Sequence, residues 1–393
     1  QSTCSIILTN NPRNLLLIAE GQLGDLLLLT PALRAMKTTF SSATISVLVF
    51  DRRGRPPTWS NLAPAEIIID RATSGASSAL VKNPNVDELF TINRAALAKL
   101  YGLAKAEAEF TILRFVRRKK FDTVICTWPE DRFTICAFAS GAKARVGQEG
   151  QALDWLLTLK VNTRVGSRGV LEYYCDLVRA LGAAVTSNRT EFIIPESSRR
   201  WADEFLRTCG LDRSQKLIAI HPDATGDYKI WPPERYAALV DKLQTDANVR
   251  VILFRGVEDE HAVNDIRRVV RTKLTEADPG HDIENFAALL QRCALCVSND
   301  SGPRHLAAAI GTPSLAFLRQ FHDRQWKVYP EDDDHATLQG KEKCPVCPPN
   351  TCLDKVPNWE RFGSYCLRMI SVDEAFARIS EILSYSEGLR SSR

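Results

Sequence analysis

Apolar strands that hand over directly to helices, in both halves of the chain, are the feature that most constrains the fold. Residues 15–19, 44–50, 88–92 and 121–127 read as strands, with helical periodicity over 25–38, 94–119 and 170–182. In the second half, strands at 216–221, 249–254, 294–298 and 314–318 alternate with helical stretches near 197–209, 233–247, 258–272, 283–292 and 302–310. The strands are continuous apolar runs, so both of their faces must be covered, which predicts parallel sheets layered by helices. Two such series in 393 residues exceed one core and predict two doubly wound α/β domains, over 1–190 and 191–370, with a helix and tail at 371–393. The polar stretch TSNRTEFIIPESS, 186–198, interrupts the periodicity and marks the join. In the last helix, Ser371 is the expected N-cap and Glu374 completes a capping box.

A formal charge of +4 and the lack of a basic stripe interleaved with aromatics argue against nucleic acid as a partner. Local basic clusters occur at DRRGR 51–55, RFVRRKK 114–120 and ESSRR 196–200. They read as solvated helix ends and loops, or as docking points for an anionic lipid surface or acceptor. No apolar run approaches the ~20 residues of a membrane span. The first residues lack the pattern of a secretory signal, so eleven cysteines, mostly single and in apolar surroundings, point to a reducing cytoplasm. The proline-rich stretch 51–66 breaks the rhythm and reads as an inserted surface loop.

Ligands of open parallel sheets bind beyond the carboxyl ends of the strands, and three segments lie there. In EGQLGD, 20–25, Gly21 and Gly24 allow a tight turn and close backbone approach, and Asp25 is either a helix N-cap or a base facing a cleft. The segment is not GxGxxG and has no ribose acid about twenty residues on, which argues against a dinucleotide oxidoreductase. In HPDATGDYKIWPPERY, 221–236, a small-residue loop ends in Lys229 before a proline-initiated helix. Loop amides and one ammonium suit a diphosphate, although an ordinary loop with a surface lysine has the same composition. In SNDSGPRHLAAAIGTP, 298–313, Asp300 and Ser301 cap a helix whose first amides form a ready anion site, with His305 one turn in. A carboxylate in one domain and a diphosphate cradle in the other fit group transfer from a nucleotide-activated donor.

After residue 319 the periodicity decays, and CPVCPPNTC places Cys344, Cys347 and Cys352 ahead of Cys366. The spacing suits a structural Zn or Fe that pins the loop 340–368; free thiols or a redox disulfide are the alternatives.

GQLGDLLLLTPALRAMK, HPDATGDYKIWPPERY and SNDSGPRHLAAAIGTP resemble, in order, the three signature blocks of glycosyltransferase family 9, the heptosyltransferases of lipopolysaccharide core assembly. The resemblance spans residues 14–385. It implies a GT-B fold: two Rossmann-like domains facing a central cleft, the acceptor on the N-terminal one and the nucleotide sugar on the C-terminal one. It also implies that the last helix returns to the N-terminal domain. The implied reaction is an inverting transfer from ADP-heptose to a lipopolysaccharide core acceptor, with no catalytic cofactor. Asp25 would be the general base, and Thr225 and Lys229 would hold the diphosphate with Ser301 and Gly302. Glu260, in FRGVEDE, matches the ribose carboxylate more loosely, while Asp300 and His305 either touch the donor or shape its loop. Ser301 stands where Thr is commoner, which keeps the hydroxyl. Such an enzyme would be cytoplasmic, with peripheral contact at the inner face of the membrane. A related branch, which modifies autotransporter adhesins, holds iron in a cysteine finger, so a protein O-heptosyltransferase is the alternative. A nucleotide-sugar-binding protein without catalysis is the third reading.

Overall fold

The strands expected from the apolar runs form two separate sheets. In the computed structural model the described residues are 12–51, 68–70, 76–163, 168–212, 215–245, 249–256, 261–280, 282–320, 329, 334–340 and 365–391. The chain divides into two compact units, residues 1–192 and 193–393.

The first unit runs β1 (Asn14–Gly21), α1 (Leu23–Thr39), β2 (Thr44–Asp51), β3 (Ile68–Asp70), β4 (Glu88–Asn93), α2 (Arg94–Lys99), α3 (Gly102–Arg118) and β5 (Thr123–Cys126). It continues through α4 (Asp131–Ser140), β6 (Ala144–Gln148), β7 (Leu159–Val161) and α5 (Val170–Arg179). The seven strands lie in the order β3-β4-β2-β1-β5-β6-β7, all parallel except that β3 runs antiparallel to β4. Leu15 to Ile18 of β1 are fully buried, as expected of a central strand covered on both faces. The order reverses between β1 and β5, so the switch point of this sheet lies at the end of β1.

The single helix expected over 94–119 is two helices. Leu100 ends α2 in extended geometry, and Gly102 opens α3 with φ +58, a conformation that costs glycine little. Helix α4 and strands β6 and β7 went unread in the sequence. DRFTICAFAS is rich in β-branched and aromatic residues and too short for a clear period, yet Phe133, Cys136 and Ala137 bury one helical stripe ahead of a left-handed Gly141.

The second unit runs α6 (Glu196–Thr208), β8 (Lys216–His221), α7 (Pro233–Gln244), β9 (Val249–Phe254), α8 (His261–Val269), β10 (Thr275–Ala277), α9 (Ile283–Gln291) and β11 (Leu295–Asn299). It ends with α10 (Gly302–Ile310), β12 (Ser314–Phe317), β13 (His335–Leu338), α11 (Tyr365–Arg368) and α12 (Val372–Ser391). Its six strands are all parallel in the order β10-β9-β8-β11-β12-β13, which puts the switch point between β8 and β11.

Helix α12 packs within the second unit: Ala375, Ile379 and Ile382 are buried in that unit's core beside Leu239 and Leu243 of α7. Lys242 of α7 pairs with Asp373, and Arg235 and the Trp231 indole both donate to the Ile370 carbonyl. Ser371 caps the helix as expected: its hydroxyl accepts the Glu374 N–H at 3.2 Å, and its own N–H donates to Glu374 at 3.0 Å.

Candidate functional site

The first unit places Asp25 at its switch point. Helix α1 begins two residues earlier than the sequence suggested, with Gln22 as N-cap, so Asp25 is the third helical residue. Its carboxylate accepts the Gln22 N–H at 3.0 Å, and the Gln22 side chain accepts the Asp25 N–H. This reciprocal capping box fixes the direction of a half-buried carboxylate at the carboxyl edge of the sheet. Gly21 must stay small, because a β-carbon there would come within 2.8 Å of the Leu26 side chain. Gly24 is buried in the first turn.

Three charged residues at the same edge were missed in the sequence. Glu20 is buried at the end of β1 and pairs with Arg94, the residue that follows β4. Arg94 also reaches Glu130, after β5, at 3.4 Å. A glutamate in an apolar strand is the sequence signal for such a partner, since a carboxylate is not buried without one.

In the second unit, β8 and β11 are hydrogen-bonded neighbours, so the loops that follow them leave the sheet side by side. The β8 loop carries Thr225, which is exposed, and Lys229, which closes a short 3-10 turn over Asp227–Lys229. Gly226 has φ +91, and a β-carbon there would meet the Tyr228 ring at 2.6 Å. The turn is anchored by Trp231, fully buried with its ring stacked 4.3 Å from Phe317 and edge-on to Tyr236 at 5.0 Å. Pro232 and Pro233 then start α7, where a missing N–H costs nothing.

Asn299 ties this loop to the β11 loop, and sequence reading missed it. It is fully buried, accepts the Trp231 N–H at 2.8 Å and the Tyr236 hydroxyl at 3.1 Å on Oδ1, and donates through Nδ2 to the Pro222 carbonyl. A backbone N–H can only donate and a carbonyl only accept, so the orientation of the amide is unambiguous. The next residues are Asp300, whose N–H donates to the Phe317 carbonyl at 3.2 Å, and Ser301, the N-cap of α10. Gly302 and Pro303 form the first turn; Pro303 has no N–H and the Arg304 N–H donates to the Ser301 carbonyl at 3.2 Å, so Gly302 supplies the helical amide without an intrahelical partner at this end of α10.

His305 does not face outward. It is buried, and its Nδ1 lies 3.0 Å from the Tyr329 hydroxyl. Burial, helped by the adjacent Arg304 charge, pushes its pKa down to about 3, so the ring is neutral. Arg304 is buried as well. Its Nη1 donates to Asp300 at 3.0 Å, while Nε and Nη2 have no hydrogen-bond partner, and its guanidinium lies 5.5 Å from the Tyr329 ring. Asp223 accepts the Gly256 N–H at 3.0 Å, joining the β8 loop to the start of the β9 loop. Glu260, farther along that loop, lies outside the described residues, as do Cys344, Cys347 and Cys352. Cys366 is buried in α11, and no group of three or more His, Cys, Asp or Glu suited to a metal occurs among the described residues. No helix among them is long and apolar enough to cross a membrane.

Residues 110–354 match the family model "Glycosyltransferase family 9 (heptosyltransferase)". Asp25 lies outside that match, and the β8 and β11 loops lie inside it. Lipopolysaccharide heptosyltransferase 3 of Escherichia coli is 23% identical over 313 residues, covering 78% of this chain and 83% of the relative. A glycosyl transferase family 9 structure from Veillonella parvula superposes with TM-score 0.73 at 22% identity, covering 96% of this chain and all of that one. An Escherichia coli heptosyltransferase solved with ADP-2-deoxy-2-fluoro heptose gives TM-score 0.63 at 16% identity, covering 94% and 99%.

Proposed function

The chain belongs to glycosyltransferase family 9, and on that basis we propose that this glycosyltransferase moves a heptose from ADP-heptose to a lipopolysaccharide core acceptor, inverting the anomeric carbon. The observation that carries the reading is the pairing of the β8 and β11 loops through Asn299, which puts Lys229 and the α10 N-terminus at one sheet edge. A relative of the same fold was solved with an ADP-heptose analogue, which supports the choice of nucleotide.

In this reading the second unit holds the donor. Thr225, Lys229, Ser301 and the Gly302 amide bind the diphosphate, and Asp300 and His305 shape the loop from behind. The first unit holds the acceptor. Asp25 takes the proton of the acceptor hydroxyl as that oxygen attacks the anomeric carbon. The bond from that carbon to the diphosphate oxygen breaks with its electron pair, and ADP leaves. The negative charge on the departing diphosphate is met by the Lys229 ammonium and the Gly302 amide. The capping box holds the carboxylate in one direction while it works, so cap and base are two roles of one residue. The acceptor is lipid-linked, and the enzyme meets it at the cytoplasmic face of the membrane.

The test is ADP release and product mass from ADP-heptose with truncated lipopolysaccharide, set beside adhesin repeat peptides. Transfer to the former supports the reading, and transfer only to the latter makes the chain a protein O-heptosyltransferase. Asp25→Asn keeps an oxygen for the Gln22 N–H and removes the base, so kcat should fall by roughly 10²–10⁴ with ADP affinity unchanged. Wild-type turnover by that variant would remove Asp25 from the mechanism.

A further inference from the structure

The outer face of α3 is the most unusual surface of the first unit. Leu103, Phe110, Arg114 and Arg117 follow one another at spacings of seven, four and three residues, which puts them on a single stripe. The opposite stripe, Ala108, Ile112 and Val116, is the one buried in the core. Leu103 is 90% exposed and Phe110 64% exposed, and Tyr101, just before the helix, is 85% exposed. Helix α4 packs beside α3 and adds exposed Ile135 and Phe138. The 3-10 turn Asp154–Leu156 packs against α4 and adds Trp155, 69% exposed. Single exposed apolar side chains are ordinary, but six large ones on adjoining elements are not.

The same segment is strongly basic. Residues 94–120 hold eight Lys and Arg against two Glu, a surplus of six on a chain whose formal total is +4. Arg94 and Lys119 are engaged with Glu20 and Glu88, and Glu109 with Arg132. Exposed Lys99, Lys105, Arg114, Arg117, Arg118 and Lys120 remain, with Glu107 among them.

We propose that the α3–α4 face, with Leu103, Phe110, Ile135, Phe138 and Trp155 as apolar anchors and Arg114, Arg117 and Arg118 among them, docks the enzyme on an anionic lipid bilayer. Apolar side chains that reach past the headgroups, set in a cationic field, are what an interfacial helix presents to such a surface. A second copy of the chain would bring like charge against like charge. The docking rests on the proposed lipid-linked acceptor, to which it brings the enzyme.

The experiment is sedimentation of the full chain with vesicles of phosphatidylcholine alone or with 30% phosphatidylglycerol added, a composition of about the anionic content that makes such surfaces attractive to basic segments. Binding is expected to the anionic vesicles alone, and high salt should weaken it. Each basic residue near the surface is worth roughly a fivefold factor, so Arg114→Gln/Arg117→Gln/Arg118→Gln should lower the partition coefficient about a hundredfold. Leu103→Ser/Phe110→Ser should lower it further at high salt, where the apolar contribution is all that is left. Both variants change exposed side chains and should keep the wild-type melting temperature and its transfer rate onto a delipidated, soluble acceptor. Absence of binding to anionic vesicles, or equal binding by the variants, overturns the docking. Binding by wild type and variants alike to neutral vesicles overturns the charge argument. Doubling of the solution mass that is abolished by Leu103→Ser/Phe110→Ser assigns the face to a second copy instead. Failure of transfer onto the soluble acceptor would sink the functional reading and leave the vesicle result standing, so the two are judged separately.

Discussion

Asn299→Ala tests whether the proposed donor edge is held by one amide. Removing the side chain leaves the Trp231 N–H, the Tyr236 hydroxyl and the Pro222 carbonyl without their partner. An unsatisfied buried group costs about 1–3 kcal/mol, and the truncation leaves room for water to satisfy part of the set, so the expected loss is about 3–6 kcal/mol. For a unit of this size that lowers the melting temperature by on the order of 10 °C. Stability alone would not separate this from any core lesion. Ile266→Ala, fully buried in the same core but away from the loops, is the control, with an expected loss of about 2–5 kcal/mol.

The two variants part in the kinetics. Loosening Trp231 and Pro222 frees both ends of the segment that carries Thr225 and Lys229, so Asn299→Ala should raise KM for the nucleotide sugar at least tenfold below its melting point. Ile266→Ala should leave KM unchanged at a matched melting temperature. Asn299→Asp keeps the acceptor for Trp231 and Tyr236 but sets a carboxylate against the Pro222 carbonyl, so it should rescue neither property. Thermal melts and an ADP-release assay decide. Equal KM in the two alanine variants, or an Asn299→Ala melt within a degree of wild type, would refute the reasoning.

Gly256→Ala puts a β-carbon 2.4 Å from the Asp223 carboxylate, so the two loops must shift apart. It should cost about 1–3 kcal/mol in urea unfolding and raise KM for the donor. Arg304→Met removes a buried charge with two unpartnered nitrogens, and Asp300 keeps some contact with water. Stability should therefore stay within about 1 kcal/mol of wild type, and a loss above that would show the ion pair to be structural. His305 is neutral in the fold with a pKa near 3, against an ordinary value of 6.5. The unfolded chain thus binds the extra proton as pH falls below 6.5, and stability should drop by about 2 kcal/mol between pH 7 and 5 from this residue alone. His305→Gln should flatten that part of the urea-midpoint profile, and an unchanged slope would contradict a buried neutral ring.

Strand and helix alternation was legible because continuous apolar runs of five to eight residues have few other uses. The short elements were not: β7 and β10 are three residues each, and β3 lies at the sheet edge, so none carries enough pattern to stand above a loop. The local structure around Ser301 was legible where the chemistry is local. Gly302 after Ser301 reads as a helix start from those residues alone. Asn299 was not legible, because its partners are 68, 63 and 77 residues away in sequence. The burial of His305 against Tyr329 was not legible for the same reason, since that partner lies 24 residues on.

The two units put opposite chemistry at the same topological position. At the first switch point the strand ends in Glu20 and the helix opens with Asp25, both acidic, with Arg94 drawn to Glu20 and Glu130. At the second, the strands end in loops of hydroxyls, amides and Lys229, and a helix offers its positive end. An acidic edge suits a hydroxyl that must lose its proton and repels a diphosphate, while the amide-rich edge attracts one. A chain built to bind two nucleotides would repeat the second edge. This one does not, and that asymmetry is the physical reason to read two like-folded units as an acceptor side and a donor side.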